Sequence, residues 1–166
     1  IVLMAGRIDL SVGTIMSLAT AIMALTSADL GWLSIPLALL AGIACGLFTA
    51  AGVIALRINP LVMSLATAAI VKGVTLLVLP SPGGEVDYAL YELFFESGRL
   101  LGPPLLICLL AYLLLAVVMG WSRFGRSVYA FGSDAKAAFA NGVSGARVDI
   151  AVYAVAGGLA ALAGIF

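Results

Sequence analysis

Hydrophobic residues fall into long unbroken blocks along this chain, and polar residues into shorter intervals between them. A bilayer core about 30 Å thick takes about 20 apolar residues to cross as a helix. Five blocks reach or approach that length: Leu10 to Ala28, Leu33 to Leu56, Pro60 to Leu79, Pro103 to Trp121, and Ile150 to Phe166. Residues Ile1 to Ala5 read as the tail of an earlier span. The blocks are continuous rather than alternating, and far too long for barrel strands. The pattern therefore predicts an all-α, polytopic transmembrane helix bundle, with residues 1–166 forming one domain. Because the chain opens on IVLMAG and closes inside the fifth block, the reading is the middle of a longer membrane protein, truncated at both ends.

The polar intervals set the orientation. Sides alternate from one span to the next, so the segment before the first span, the turn between the second and third, and the interval 122–148 share a side. Together they carry Arg7, Arg57, Arg123, Arg126, Lys136 and Arg147. The other side holds Arg99 with Asp29, Glu85, Asp87, Glu92 and Glu96. Basic residues concentrate in cytoplasmic loops, so 122–148 is expected inside and the 80–102 loop outside. That outer loop opens on a PSPGG turn cluster. It continues with Tyr88, Tyr91, Phe94 and Phe95 near helical spacing, which predicts a short amphipathic helix on the membrane surface.

Composition sharpens this. Hydrophobic residues are 64% of the 166 and charged residues only 10%, against about 25% charged in a soluble domain. Such a chain cannot cover itself with polar surface, and its partner is a lipid bilayer. No basic-aromatic face points to nucleic acid. The absence of histidine and the placement of both cysteines, Cys45 and Cys108, inside apolar blocks leave no catalytic dyad, disulfide framework or metal site to propose. Enzyme signatures such as G-x-x-x-x-G-K-[ST], G-x-S-x-G and H-E-x-x-H are absent, and no cofactor is expected. If the protein does uphill work, another subunit supplies the energy.

Small residues recur every four positions in two spans: Ala38, Gly42, Gly46 and Ala50 in the second, and Ala156, Ala160 and Gly164 in the last. That spacing lets helix backbones approach closely and predicts tight packing within one bundle.

Three places carry candidate chemistry. In Gly6-Arg7-Ile8-Asp9-Leu10-Ser11-Val12-Gly13 an apolar run is interrupted by two charges. Two readings stand side by side. Carboxylates at membrane depth mark substrate paths, and irregular backbone there lines cavities; equally, this is a cytoplasmic turn with Asp9 or Ser11 capping the next helix. Asn59-Pro60 reads as a helix start, with Ser64 and Thr67 at i, i+3 behind it and Lys72 snorkelling toward the outer surface. The interval 122–148 holds a short helix over Ser133 to Asn141, with Ser133 or Asp134 as N-cap and Asn141-Gly142 as the stop. Its alanines, Ala135, Ala137, Ala138 and Ala140, give a narrow profile suited to a groove on a partner protein.

These residues resemble the permease subunit of binding-protein-dependent ABC importers for monosaccharides of the ribose, xylose, arabinose and galactoside type. The resemblance covers the whole chain. It is carried by Ile8-Asp9-Leu10-Ser11-Val12-Gly13, by Asn59-Pro60 through Leu65-Ala66-Thr67, by Arg123-Phe124-Gly125-Arg126 with Tyr129-Ala130, and by Gly132, Ala137-Ala138 and Gly142-Val143. It implies a permease of roughly ten spans, a multi-pass protein of the bacterial inner membrane paired with a second permease subunit, most simply as a homodimer. It further implies an ATP-binding cassette ATPase docked below, a periplasmic or extracellular sugar-binding protein above, and a sugar as cargo, with ATP hydrolysed on the partner chain. On the resemblance, Asp9, Ser11, Gly13, Asn59, Pro60, Ser64 and Thr67 belong to the translocation path. Gly125, Arg126, Ala130, Gly132, Ser133, Asp134, Ala137, Ala138 and Gly142 belong to ATPase coupling.

Three departures from the family pattern stand out. Arg7 replaces the second glycine of Gly-Gly-Ile-Asp; Ser133-Asp134-Ala135-Lys136 replaces Gly-Asn and an acidic pair; and Phe139 takes a place that is often Arg. Rival readings are an ion-gradient-driven carrier, for which intramembrane charges are scarce, and a structural membrane subunit with no path.

Overall fold

The computed structural model describes residues 1–81, 83–92 and 102–166. Among the described residues a 3-10 turn, Leu3–Ala5, precedes eight helices: α1 Val12–Leu30, α2 Ser34–Ala55, α3 Pro60–Val78, α4 Tyr88–Tyr91, α5 Pro103–Trp121, α6 Arg123–Ser133, α7 Ala135–Ala140 and α8 Gly145–Ile165, with a second 3-10 turn, Gly31–Leu33, between α1 and α2. The described residues contain no strand. Among the described residues four apolar stretches are long enough to cross a membrane, and the first, Val12–Ala55, runs for 44 residues. At 1.5 Å per residue it would measure about 66 Å, twice a bilayer core. It is two spans, α1 and α2. Gly31, at φ 51°, breaks the helix between them, in a backbone region that glycine enters without a Cβ clash.

The centre of the bundle is the seam between α2 and α8. Gly46 lies directly against the Tyr153 carbonyl, and Gly42 against Gly157 and Ala161, so any side chain there would collide with backbone. The small-residue repeat of α2 thus faces α8 as the spacing predicts. On α8 the predicted set divides: Ala160 packs with Ile15 and Leu18 of α1, and Gly164 meets the Met16 carbonyl. The α2-facing row is a second one, Tyr153, Gly157 and Ala161. Thr20 Oγ1 donates to the Gly164 carbonyl at 2.7 Å, tying α1 to α8 across the contact. These register points make α8 antiparallel to α2 and parallel to α1. The starts of α1 and α8 and the end of α2 therefore share one side, the side of Arg7, Arg57 and Arg147.

Two boundaries differ from the sequence reading. The last span begins at Gly145 rather than Ile150, so Arg147 and Asp149 belong to its first turns. The interval after Trp121 is mostly helical: α6 occupies its first half, capped by Ser122, whose Oγ accepts from Gly125 N at 3.0 Å.

At the opposite end, the chain after α3 folds back on α1. Glu85 N donates to the Ala24 carbonyl, and Ser27 Oγ donates to the Glu85 carbonyl. Asp87 caps α4, and Leu90, fully buried, is the residue of α4 that enters the core. Tyr88 and Tyr91 are exposed, as expected of a surface helix. Phe94, Phe95, Glu96 and Arg99 lie outside the described residues.

Candidate functional site

Asp9 sits in an irregular stretch between the N-terminal 3-10 turn and α1. Its Oδ1 accepts from both Ser11 N, at 2.8 Å, and Ser11 Oγ, at 2.6 Å. Ser11 is buried, and its own carbonyl accepts from Thr14 Oγ1 and Ile15 N in the first turn of α1. The carboxylate therefore braces the turn that leads into α1; the N-cap position is Ser11, and no side chain caps the helix, which departs from the capping reading. It also borders a cleft of about 490 Å³ between the N-terminal segment, α1 and α8, walled otherwise by aliphatic side chains such as Val12, Met16, Leu159 and Ala160. Asp9 thus both holds Ser11 at the helix entry and lines the cleft. Gly13 is exposed, with open space where a side chain would stand.

The other residues assigned to a path lie apart from Asp9 in the hydrogen-bond network. Asn59 caps α3, accepting from Leu61 N at 3.0 Å, with Pro60 in the first turn. Ser64 and Thr67 are fully buried, and their hydroxyls are occupied: Ser64 Oγ donates to the Leu61 carbonyl, while Thr67 Oγ1 pairs with Thr49 Oγ1 of α2 at 2.9 Å. In this arrangement Thr67 joins α3 to α2, while the Ser64 bond stays within α3. Lys72 is exposed on α3.

The interval after α5 is a compact helical unit. Gly125 packs onto the Met119 backbone, fixing the bend out of α5. Phe124, Val128 and Phe131 share one face of α6 and enter the core with Met119, Val148 and Val152. Their i, i+4, i+7 spacing, preceded by a serine cap, was the available signal for this helix; the glycines and arginines between them disguise it. Arg126 faces outward and donates from its guanidinium to the Trp121 carbonyl, while Ala130 is half-buried. Ser133 closes α6, its Oγ returning to the Ala130 carbonyl. Asp134 is the cap of α7, accepting from Lys136 N at 2.9 Å and Ala137 N at 3.1 Å. The helix expected over Ser133 to Asn141 is thus Ala135–Ala140, and Gly142, at φ 82°, ends it. Ala137 and Phe139 point outward, Phe139 being 77% exposed, whereas Ala138 is buried against the chain.

The two candidate regions touch. Gly132 lies against the Met4 carbonyl, and Gly6, with a left-handed φ of 69°, rests on the Gly132 carbonyl. Arg7 forms a two-pronged ion pair with Asp149 of α8, Nε to Oδ1 and Nη2 to Oδ2 both at 3.2 Å. The same guanidinium stacks over the Phe131 ring, 5.2 Å from its centre. Asp149 is buried, so this pair is no loose surface bridge. Sequence reasoning missed it because its members stand 142 residues apart.

Residues 1–166 match a protein family described as the permease component of branched-chain amino acid transport systems. The chain belongs to this permease family. Among its relatives, the ribose import permease of Bacillus subtilis is 34% identical over 98% of this chain and 52% of its own length. An inner-membrane ABC transporter permease of Escherichia coli is 32% identical over 99% of this chain and 52% of its own length. The fructose import permease of Bifidobacterium longum is 28% identical over the whole of this chain and 49% of its own length. The chain therefore spans about half the length of the curated relatives it matches. No solved structure matches it. With its apolar helices of spanning length, this permease-family chain is that of a multi-pass inner-membrane protein.

Proposed function

We propose that the chain forms part of the translocation path of an ATP-driven importer for a monosaccharide delivered by a separate binding protein. In this reading it couples to a partner ATPase through α7. The observation that carries the proposal is α7 itself: a short, capped helix with Ala137 and Phe139 turned outward, at the end of the bundle where the basic residues gather. Six residues form no stable helix alone in water; this one is held by its Asp134 cap and by Ala138, which leaves its outer face available to another protein. The family match and the sugar permeases among its relatives support the cargo class. Asp9 at the edge of the cleft is the polar group nearest a path, and ATP hydrolysis falls to the partner chain. Binding and release of ATP there would bias the bundle between outward- and inward-open arrangements.

The test is uptake of labelled ribose and labelled fructose into vesicles holding the full chain, its ATPase and its binding protein. ATP-dependent uptake is expected. Uptake that proceeds without ATP would establish an ion-gradient carrier, and no uptake of any sugar a structural subunit. Within the same assay, Ala137→Glu is expected to lower ATP-driven uptake at least about tenfold with normal membrane insertion. Ala138→Glu tests something else, because its side chain would enter the core.

A further inference from the structure

We infer that Arg7 is a positioning residue through which movement of α7 reaches the Asp9 segment, with Asp149 as its anchor and Phe131 as its seat. This deepens the proposed coupling role and rests on it. Phe131 and Gly132 close α6 immediately before the Asp134 cap of α7, and Arg7 stands two residues before Asp9. Any displacement of α7 therefore acts on α6 where the N-terminal segment is seated.

Two contacts seat the N-terminal segment on α6, and a third anchors it to α8. The Met4 carbonyl rests on Gly132, the Arg7 guanidinium stacks on Phe131, and the Arg7 fork grips Asp149. A guanidinium bound through two parallel hydrogen bonds fixes orientation as well as distance. Because Asp149 is buried, losing Arg7 would leave its carboxylate uncompensated, so the pair holds the N-terminal segment on α8 while Phe131 and Gly132 of α6 bear on the same segment. Coupling between sites travels through such contiguous packed networks. The replacement of a glycine by Arg7, a departure from the family pattern, thus has a defined partner in this chain.

The experiment uses the full chain reconstituted with its ATPase and binding protein, with labelled ribose and fructose as probes, and reads sugar moved per ATP hydrolysed. Arg7→Gln and Asp149→Asn are each expected to lower that ratio about tenfold while the permease still co-purifies with its ATPase. The exchanged double variant, Arg7→Asp with Asp149→Arg, is expected to recover most of it. Arg7→Lys keeps the charge but loses the fork, and is expected to fall between. A wild-type ratio in both single variants overturns the inference, as does an exchanged variant that inserts but couples no better than they do. Should the single variants fail to insert, Arg7→Lys decides: a wild-type ratio there reduces the pair to a structural brace and overturns the inference. The parent reading fails differently, through an unmodified protein that shows no ATP-dependent uptake.

Discussion

α5 and α8 are both apolar helices of spanning length, and α5 is the more hydrophobic of the two. Their burial runs the other way: 56% of the most apolar stretch of α8 is buried within the chain, against 6% for α5. In water the greasier helix would be the core helix. In a bilayer, lipid tails solvate leucine as well as a neighbouring helix does, and association depends on close packing and hydrogen bonds instead. The run of leucines and valines in α5 has no reason to leave lipid, while Gly157, Ala160, Ala161 and Gly164 of α8 let two neighbours approach to backbone contact. Small residues, not hydrophobicity, mark the centre of this fold.

That comparison is open to attack at several strengths, each read as the thermal midpoint of the purified full chain in detergent. Gly157→Leu puts a side chain into the Gly42 carbonyl and is expected to cost about 3 kcal/mol or more, the upper end of overpacking effects. A midpoint unchanged by it would mean that the α2–α8 seam is not the centre. Tyr153→Phe removes a buried hydroxyl that meets no partner among the described residues. It is expected to leave stability unchanged or raise it by about 1 kcal/mol; a clear loss would reveal a partner for that hydroxyl. Thr20→Val, which deletes the hydrogen bond to the Gly164 carbonyl, is expected to cost about 0.6 kcal/mol, the average found for such bonds in membranes. Leu110→Ala on the bare face of α5 is expected to stay within about 0.5 kcal/mol. A loss comparable to Gly157→Leu would show that protein, not lipid, covers α5.

The spans were legible because hydrophobic runs of bilayer length admit few other structures. The predicted starts at Pro60 and Pro103 match α3 and α5, where proline marks the first turn. The start of α8 was not legible. Arg147 and Asp149 read as loop residues, and a carboxylate inside a spanning helix is costly; Arg7, far away in sequence, offsets that cost. The Asp134 cap and the Gly142 stop of α7 were readable from local turn chemistry. Whether Asp9 caps a helix or borders a cleft could not be separated from spacing; in the structure it borders the cleft and holds Ser11, and α1 has no side-chain cap. Ser64 and Thr67 illustrate the opposite limit: hydroxyls on a spanning helix look alike in sequence whether they face a path or a neighbouring helix, and here Thr67 is held at the α2–α3 contact while Ser64 bonds within α3.

The α2–α8 seam has a consequence for biosynthesis. Gly46 and Tyr153 are separated by about 100 residues, which a ribosome adds in roughly 5–20 s. Throughout that interval the glycine-lined face of α2 is already in the membrane with nothing to pack against except lipid. The intervening elements, α3, α4, α5 and the α6–α7 unit, must be placed on their proper sides before α8 arrives to close it. The structure's tightest contact thus forms only after every element between α2 and α8 has been made, and it waits on the arrival of α8.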